Sequence, residues 1–148
     1  MGYKIISLNY SFADEIHRIE NESFSSPWSR ESIESSLESP VVFYFGALDA
    51  ESKLSAFVCA SVIAPEAEIL NIAVSPLHRR QGLAQSLLLY LSDFLKENSV
   101  EDTFLEVRAS NVPAQSLYRK FGFEVIGIRR KYYSAPTEDA VLMKKTTL

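Results

Sequence analysis

At Gly82 the hydrophobic pattern changes period, and that change dictates the middle of the fold. Upstream, Ala67-Glu-Ile-Leu-Asn-Ile-Ala-Val74 is rich in β-branched residues and reads as a strand. Downstream, Leu83, Leu87, Leu88, Leu91, Phe94 and Leu95 mark one face of an amphipathic helix that ends near Asn98. A second strand pattern follows at Thr103-Phe-Leu-Glu-Val-Arg108. A chain that leaves a sheet, runs through one helix and re-enters the sheet alongside must cross over, so this stretch predicts one parallel step with the long helix packed on the sheet.

The flanking segments supply the rest of that sheet. Lys4–Leu8 reads as a short first strand, and Phe12, Ile16, Ile19 and Phe24 recur at helical spacing behind Ser11, which predicts a helix over Phe12–Ser23. Ser29, three residues before Ser32, caps a second short helix reaching about Leu37. Val41–Leu48, Leu54–Ile63 and Ala67–Val74 are separated by short polar turns and read as successive antiparallel strands. After the crossover, Ala114, Leu117, Tyr118 and Phe121 form a helical stripe behind Pro113 that Gly122 stops, and two more strands fall near Phe123–Arg130 and Ala140–Lys145. The expected class is α+β: a mixed, mostly antiparallel sheet of six to seven strands with about four helices and a central parallel crossover. With 148 residues, 47% of them hydrophobic, and no repeat or linker, the chain is expected to form a single domain over 1–148.

Charge and cysteine content exclude several functions. A formal charge of −4 and a pI near 5.2 argue against the basic surface that nucleic-acid backbones require. A mildly acidic body suits a cationic partner such as an amine or a basic protein tail, although solubility alone accounts for most acidic surfaces. Cys59, the only cysteine, lies in the apolar run Ser55–Ser61 and reads as a core residue. No segment approaches a membrane span or a secretory leader, so a cytoplasmic protein with no membrane partner is expected. His17 and His78 have no partner at metal-ligand spacing, and no metal is expected.

Three places carry chemistry. Arg79-Arg-Gln-Gly-Leu-Ala84 opens the long helix directly after a strand and a Pro76 turn, leaving unpaired backbone N–H groups at the positive end of the helix dipole. Such a junction attracts phosphate, with Gly82 allowing close approach and Arg79 and Arg80 adding charge. On spacing alone an ordinary solvated turn fits as well. The single glycine is not a dinucleotide fingerprint, and no Gly-Lys-Ser/Thr follows as in a nucleotide-hydrolysing loop. Glu106 interrupts the apolar run Phe104–Val107, either as a functional carboxylate or as one that faces solvent or pairs with Arg108. Tyr118 lies on the inward stripe of its helix, where a core aromatic is equally common. Asn111, ahead of Val112-Pro113, is a good helix cap.

Together these motifs carry a resemblance. Asn71-Ile-Ala-Val, Arg79-x-x-Gly-x-Ala84, Leu105-Glu-Val-Arg-Ala-Ser-Asn111 and Leu117-Tyr118 before Phe121-Gly-Phe123 resemble the Gcn5-related N-acetyltransferases (GNAT), along most of the chain. Pro27-Trp-Ser29 and Arg129-Arg-Lys-Tyr-Tyr133 are similar to segments of the RimI-type ribosomal-protein alanine N-acetyltransferases within that family. The resemblance implies a GNAT fold and acetyl-CoA as co-substrate. Ile72, Ala73 and Val74 would hold the pantetheine arm by main-chain bonds, and Arg79, Arg80, Gln81, Gly82, Leu83 and Ala84 would wrap the pyrophosphate. Ala84 departs from the glycine common there without removing an N–H donor. Asn111 would also bind the cofactor.

Glu106 resembles the family's general base and Tyr118 its general acid. An α-ammonium, with a reference pKa of about 7.7–8.0, must lose its proton before it attacks, and a carboxylate near 4.3 matches that task only when partly desolvated. Partial burial of Glu106 and a water relay are therefore expected. The backbone N–H of Val74 is a candidate oxyanion donor. Trp28, Tyr132 and Tyr133 would line the acceptor cleft by the same resemblance. The implied reaction is direct attack on acetyl-CoA by the α-amine of a protein, an alanine-starting small-subunit ribosomal protein. A small-molecule amine or a lysine side chain as acceptor, and a non-catalytic acyl-CoA-binding module, stay open as alternatives.

Overall fold

The computed structural model describes residues 2–134 and 136–146. Its elements run β1 (Lys4–Ser7), α1 (Ala13–Ser23), α2 (Arg30–Glu38), β2 (Val42–Leu48), β3 (Leu54–Ile63), β4 (Glu66–Val74), α3 (Leu83–Glu97), β5 (Asp102–Arg108), α4 (Val112–Lys120), β6 (Glu124–Tyr133) and β7 (Glu138–Thr146). The seven strands form one sheet in the order β1-β2-β3-β4-β5-β7-β6. Only β4 and β5 pair in parallel; every other pairing is antiparallel.

Local sequence explains most boundaries. Gly82 starts α3 with φ 75°, a left-handed angle that a Cβ disfavours, and the leucine stripe behind it is buried from Leu83 through Leu95. Ser29 caps α2 by accepting the Ser32 N–H, and Asn111 caps α4 by accepting the Ala114 N–H at 3.2 Å. The first helix departs from expectation: Asn9, not Ser11, accepts a backbone N–H and starts a 3₁₀ turn over Tyr10–Phe12, and α1 begins only at Ala13. The last hairpin is longer than the sequence pattern predicts, because β6 continues to Tyr133 and β7 starts at Glu138.

Two cores lie on opposite faces of the sheet. On one, α3 and α4 cover Ala56, Val58, Ala67, Ile69, Leu105, Val107 and Met143. On the other, α1 and α2 cover Tyr44, Phe57, Cys59 and Ala73 with Ile16, Ile19 and Ile33. Strand β5 shows the asymmetry: Thr103, Leu105 and Val107 are buried, whereas Phe104, Glu106 and Arg108 are only partly covered. On the second face, α1 and α2 pack against β2, β3 and β4, and the β5-β7-β6 half is left as a groove of about 440 Å³ bounded by Glu68, Phe104, Glu106, Arg129 and Leu142. Among the described residues no helix is long and apolar enough to cross a membrane.

The sheet is broken in its middle. Cys59 pairs with Asn71 and Ala60 with Ile69, so Leu70 has no counterpart on β3. One extra residue bends a strand and increases its twist. The parallel pairing of β4 with β5 ends at once, at Ile69↔Leu105, and the two strands part beyond it.

Candidate active site

The parting of β4 and β5 opens a cleft of about 260 Å³ through the sheet. Leu70, Asn71 and Ile72 form one wall, and Glu106, Val107 and Arg108 form the other. Because the opening passes between strands, it is reached from both faces: Trp28 borders it on the α1 side and Tyr118 on the α4 side. Two reactants can therefore meet inside it from opposite directions.

The bent end of β4 turns main-chain groups into this opening. The Ser75 N–H donates to the Ser55 carbonyl at 2.8 Å, so by strand alternation the N–H groups of Ile72 and Val74 point away from β3, toward the cleft. Asn71 Oδ1 accepts the Ile72 N–H at 3.1 Å. Ala73 carries its side chain into the α1 core instead. The Val74 carbonyl accepts from Arg79 Nε at 3.1 Å, which folds the loop back onto the strand end.

Beyond that bond the loop is curled by left-handed residues at Arg80, φ 65°, and Gly82. A Cβ added at Gly82 would meet nothing within 4 Å, so the glycine serves the backbone angle and leaves open space in front of the helix start. No side chain caps α3, and a recess of about 200 Å³ lies there among Arg79, Arg80, Gly82, Ala84 and Gln85. First-turn N–H groups, positive dipole and two guanidiniums facing a recess suit a pyrophosphate. Two predicted contacts have other duties. Leu83 is buried in the core and offers only its backbone. The Gln81 amide oxygen accepts the Tyr3 hydroxyl at 2.7 Å, and Tyr3 also lies 2.9 Å from His78 Nδ1, so both side chains tie the N-terminal strand to the loop.

Across the cleft, Glu106 is 21% exposed at its side chain, and its Oε2 is buried without a hydrogen-bond partner among the described residues. Arg108, the sequence-adjacent candidate partner, is taken by Glu138 at 3.0 Å and by the carbonyls of Ser134 and Pro136. Arg129 on β6 approaches instead, its Nε 3.7 Å from Glu106 Oε2, too far for a good hydrogen bond. Tyr118 is 6% exposed and stands edge-on to Phe123. Burial, with a smaller effect from Tyr133, pushes its hydroxyl up to about 12. Asn111 borders the cleft while its side chain caps α4.

Of the three aromatic acceptor candidates, Trp28 and Tyr133 border the cleft, and Arg108 stacks on the Tyr133 ring at 4.4 Å. Tyr132 does not border it. Strand alternation turns it out, 47% exposed, under Arg129 at 5.1 Å. His17 lies beside Asn21 on α1, away from the cleft, and Cys59 is a buried core residue of β3.

Two further residues, one supporting the cleft and one bordering it, escaped the sequence pattern. Gln115 donates from Nε2 to the carbonyls of Arg108 and Ala109 at 3.1 and 3.0 Å, joining α4 to the end of β5. Glu20 is only 1% exposed and borders the cleft from α1. Its signal was present: it falls four residues after Ile16 and four before Phe24, on the buried stripe itself.

The sheet is split between its two parallel strands, and the open start of α3 lies beside the split. The chain belongs to the acetyltransferase (GNAT) family, whose pattern matches residues 13–123. It is 37% identical over 141 residues to the [ribosomal protein bS18]-alanine N-acetyltransferase of Escherichia coli K12, covering 94% of each chain. The crystal structure of the ribosomal-protein-S18-alanine N-acetyltransferase from Escherichia coli superposes with a TM-score of 0.92 at 35% identity, over 98% of this chain and 94% of the other. Ard1 from Thermoplasma volcanium shares the fold with a TM-score of 0.92 at 22% identity, over 100% of this chain and 99% of the other.

Proposed function

We propose that this protein transfers the acetyl group of acetyl-CoA to the N-terminal α-amine of an alanine-starting ribosomal protein, the bS18 of its own cell. The observation that carries the reading is the two-sided cleft at the split between β4 and β5, with Glu106 on one wall and Tyr118 at the α4 side. The similarity to bS18-alanine N-acetyltransferases over nearly the whole chain supports the acceptor.

The residues present fit acetyl-CoA. The recess at the start of α3, with Arg79, Arg80 and the N–H groups from Gly82 to Ala84, takes the pyrophosphate. The Ile72 carbonyl aligns the pantetheine arm as a missing strand would, the Ile72 N–H being held by Asn71 and the Val74 carbonyl by Arg79. Bound there, acetyl-CoA supplies a thioester whose carbonyl carbon is the electrophile. The acceptor amine enters from the α1 side, between Trp28 and Tyr133.

Proton handling falls to this chain's own side chains. Glu106 Oε2, unpaired and shielded, takes the proton of the incoming ammonium, through a water where the amine stops beyond direct reach. The Val74 N–H, turned toward the opening, donates to the carbonyl oxygen as it gains charge. Tyr118 keeps its proton at neutral pH because burial holds it near 12, and it offers that O–H to the departing sulfur. A thiol has a reference pKa of about 8.5, so complete transfer from the phenol is uphill; hydrogen-bond donation to the developing thiolate is the larger part of its work. The test is to incubate the protein with acetyl-CoA and a peptide of the first residues of bS18 and locate the product acetyl by fragmentation. One acetyl on the α-amine is expected. Acetyl on lysine side chains alone, or none, contradicts the reading.

A further inference from the structure

We propose that Glu20 is a positioning residue for this transfer, a buried carboxylate that clamps the acceptor-side loop to the donor-side strand. Glu20 Oε1 accepts the backbone N–H of Trp28 at 2.9 Å. Its Oε2 accepts from Asn71 Nδ2. Trp28 ends the Phe24–Trp28 segment that borders the acceptor side of the cleft, and Asn71 lies in the bent part of β4. Asn71 in turn accepts the Ile72 N–H through Oδ1 at 3.1 Å, which fixes the orientation of its amide. One side chain thus holds a loop, a strand end and a cleft-facing backbone N–H in mutual register.

A carboxylate is the group this arrangement requires. Two N–H donors converge on it, and an ionised carboxylate offers acceptors at both oxygens. A glutamine offers one acceptor and one donor, so its amide must oppose Trp28 N–H or Asn71 Nδ2. Protonation of Glu20 has the same effect on one oxygen. Burial pushes this carboxyl up to about 7, with the Trp28 N–H pulling the other way. The titratable groups facing it are Tyr44 on β2 and Cys59 on β3, both held neutral by burial, while Glu106, Arg108, Tyr118 and Tyr133 share the cleft that it borders. A folded-state value above the unfolded one means that its stability contribution is full below the unfolded pKa and fades as pH rises through about 7. The ionised clamp therefore costs stability at the pH where it organises the cleft.

That opposition separates a positioning role from a structural one. The inference rests on the acetyl-transfer reading above. The experiment compares wild type, Glu20→Gln, Asn71→Ala and the double variant, measuring acetyl transfer to the bS18 peptide and unfolding free energy between pH 5 and pH 8.5. At pH 8.5 Glu20→Gln is expected to be as stable as wild type or more so, yet to show an acceptor KM raised about 10-fold, the scale of one lost charge-assisted bond. Wild-type stability should fall relative to Glu20→Gln as pH rises through 7. Asn71→Ala, which leaves Glu20 in place, should raise the acceptor KM similarly, and the double variant should be no worse than either single one. Unchanged kinetics in both single variants, or losses that follow loss of stability at every pH, would overturn the proposal. An inactive wild type would instead contradict the transfer reading itself.

Discussion

The two side chains assigned to proton transfer owe their environments to different elements. Glu106 is partly buried because β5 alternates, and its Oε2 has no hydrogen-bond partner among the described residues because Arg108 is held by Glu138 and Arg129 stops at 3.7 Å. Glu106→Gln keeps the shape and removes the proton acceptor. Its turnover at neutral pH is expected to fall about 100-fold or more, with acetyl-CoA affinity unchanged, measured by steady-state kinetics and cofactor titration. Tyr118→Phe should lower turnover by a smaller factor, because its O–H stabilises developing charge without complete transfer. Equal turnover of Glu106→Gln and wild type would remove Glu106 from its role. Glu106 stood out in the sequence because it interrupts an apolar run. Glu20 did not, since one acid among Asp14, Glu15, Glu20 and Glu22 on one short helix looks solvated until the stripe is followed through it.

At the scale of the element, the strand-to-helix junction is where sequence and structure agree best. A run of leucines after Gly82 can bury only one face, and a strand before it leaves few routes for the chain. Gly82→Ala tests the junction: a Cβ at φ 75° costs roughly 1 kcal/mol or more, and the loop relaxes away from the recess. The variant should stay folded with the KM for acetyl-CoA raised several-fold and acceptor KM little changed; an unaffected cofactor KM would contradict the assignment of this helix start. The bulge at Leu70 was not legible. Ile69-Leu-Asn-Ile72 is apolar nearly throughout because both faces of β4 are covered, so no alternation marks the residue at which register slips. The long β6 was hidden for the opposite reason: it is an edge strand with polar and apolar residues exposed alike, and Lys131 breaks its register with a positive φ of 51°. Tyr132, adjacent to Tyr133 in an aromatic pair, shows what resemblance cannot resolve, since only the strand's alternation says which ring meets the cleft.

Across the whole molecule, the helices are distributed so that the two faces of the sheet differ. α3 and α4 carry the recess at Gly82 and Tyr118; α1 and α2 cover only β2 to β4 on the other face and leave Glu106 at the edge of an open groove. Glu66 and Glu68 line that groove with a single guanidinium, Arg129, and burial together with Glu106 holds the Glu68 carboxyl above its ordinary value. Charge of this sign suits a cationic acceptor and disfavours a nucleic-acid backbone at the same surface. Family membership and the split sheet set the chemistry at the donor side; the identity of the acceptor rests on the cleft and on likeness to relatives. The most direct test is a comparison of kcat/KM for acetyl transfer to bS18-like peptides differing only in the first residue, with a spermidine-like polyamine and an N-terminally blocked, lysine-containing peptide alongside. The alanine-starting peptide with a free α-amine is predicted to exceed the others by at least about 10-fold, whereas equal or faster transfer to the polyamine or the blocked peptide would contradict the account.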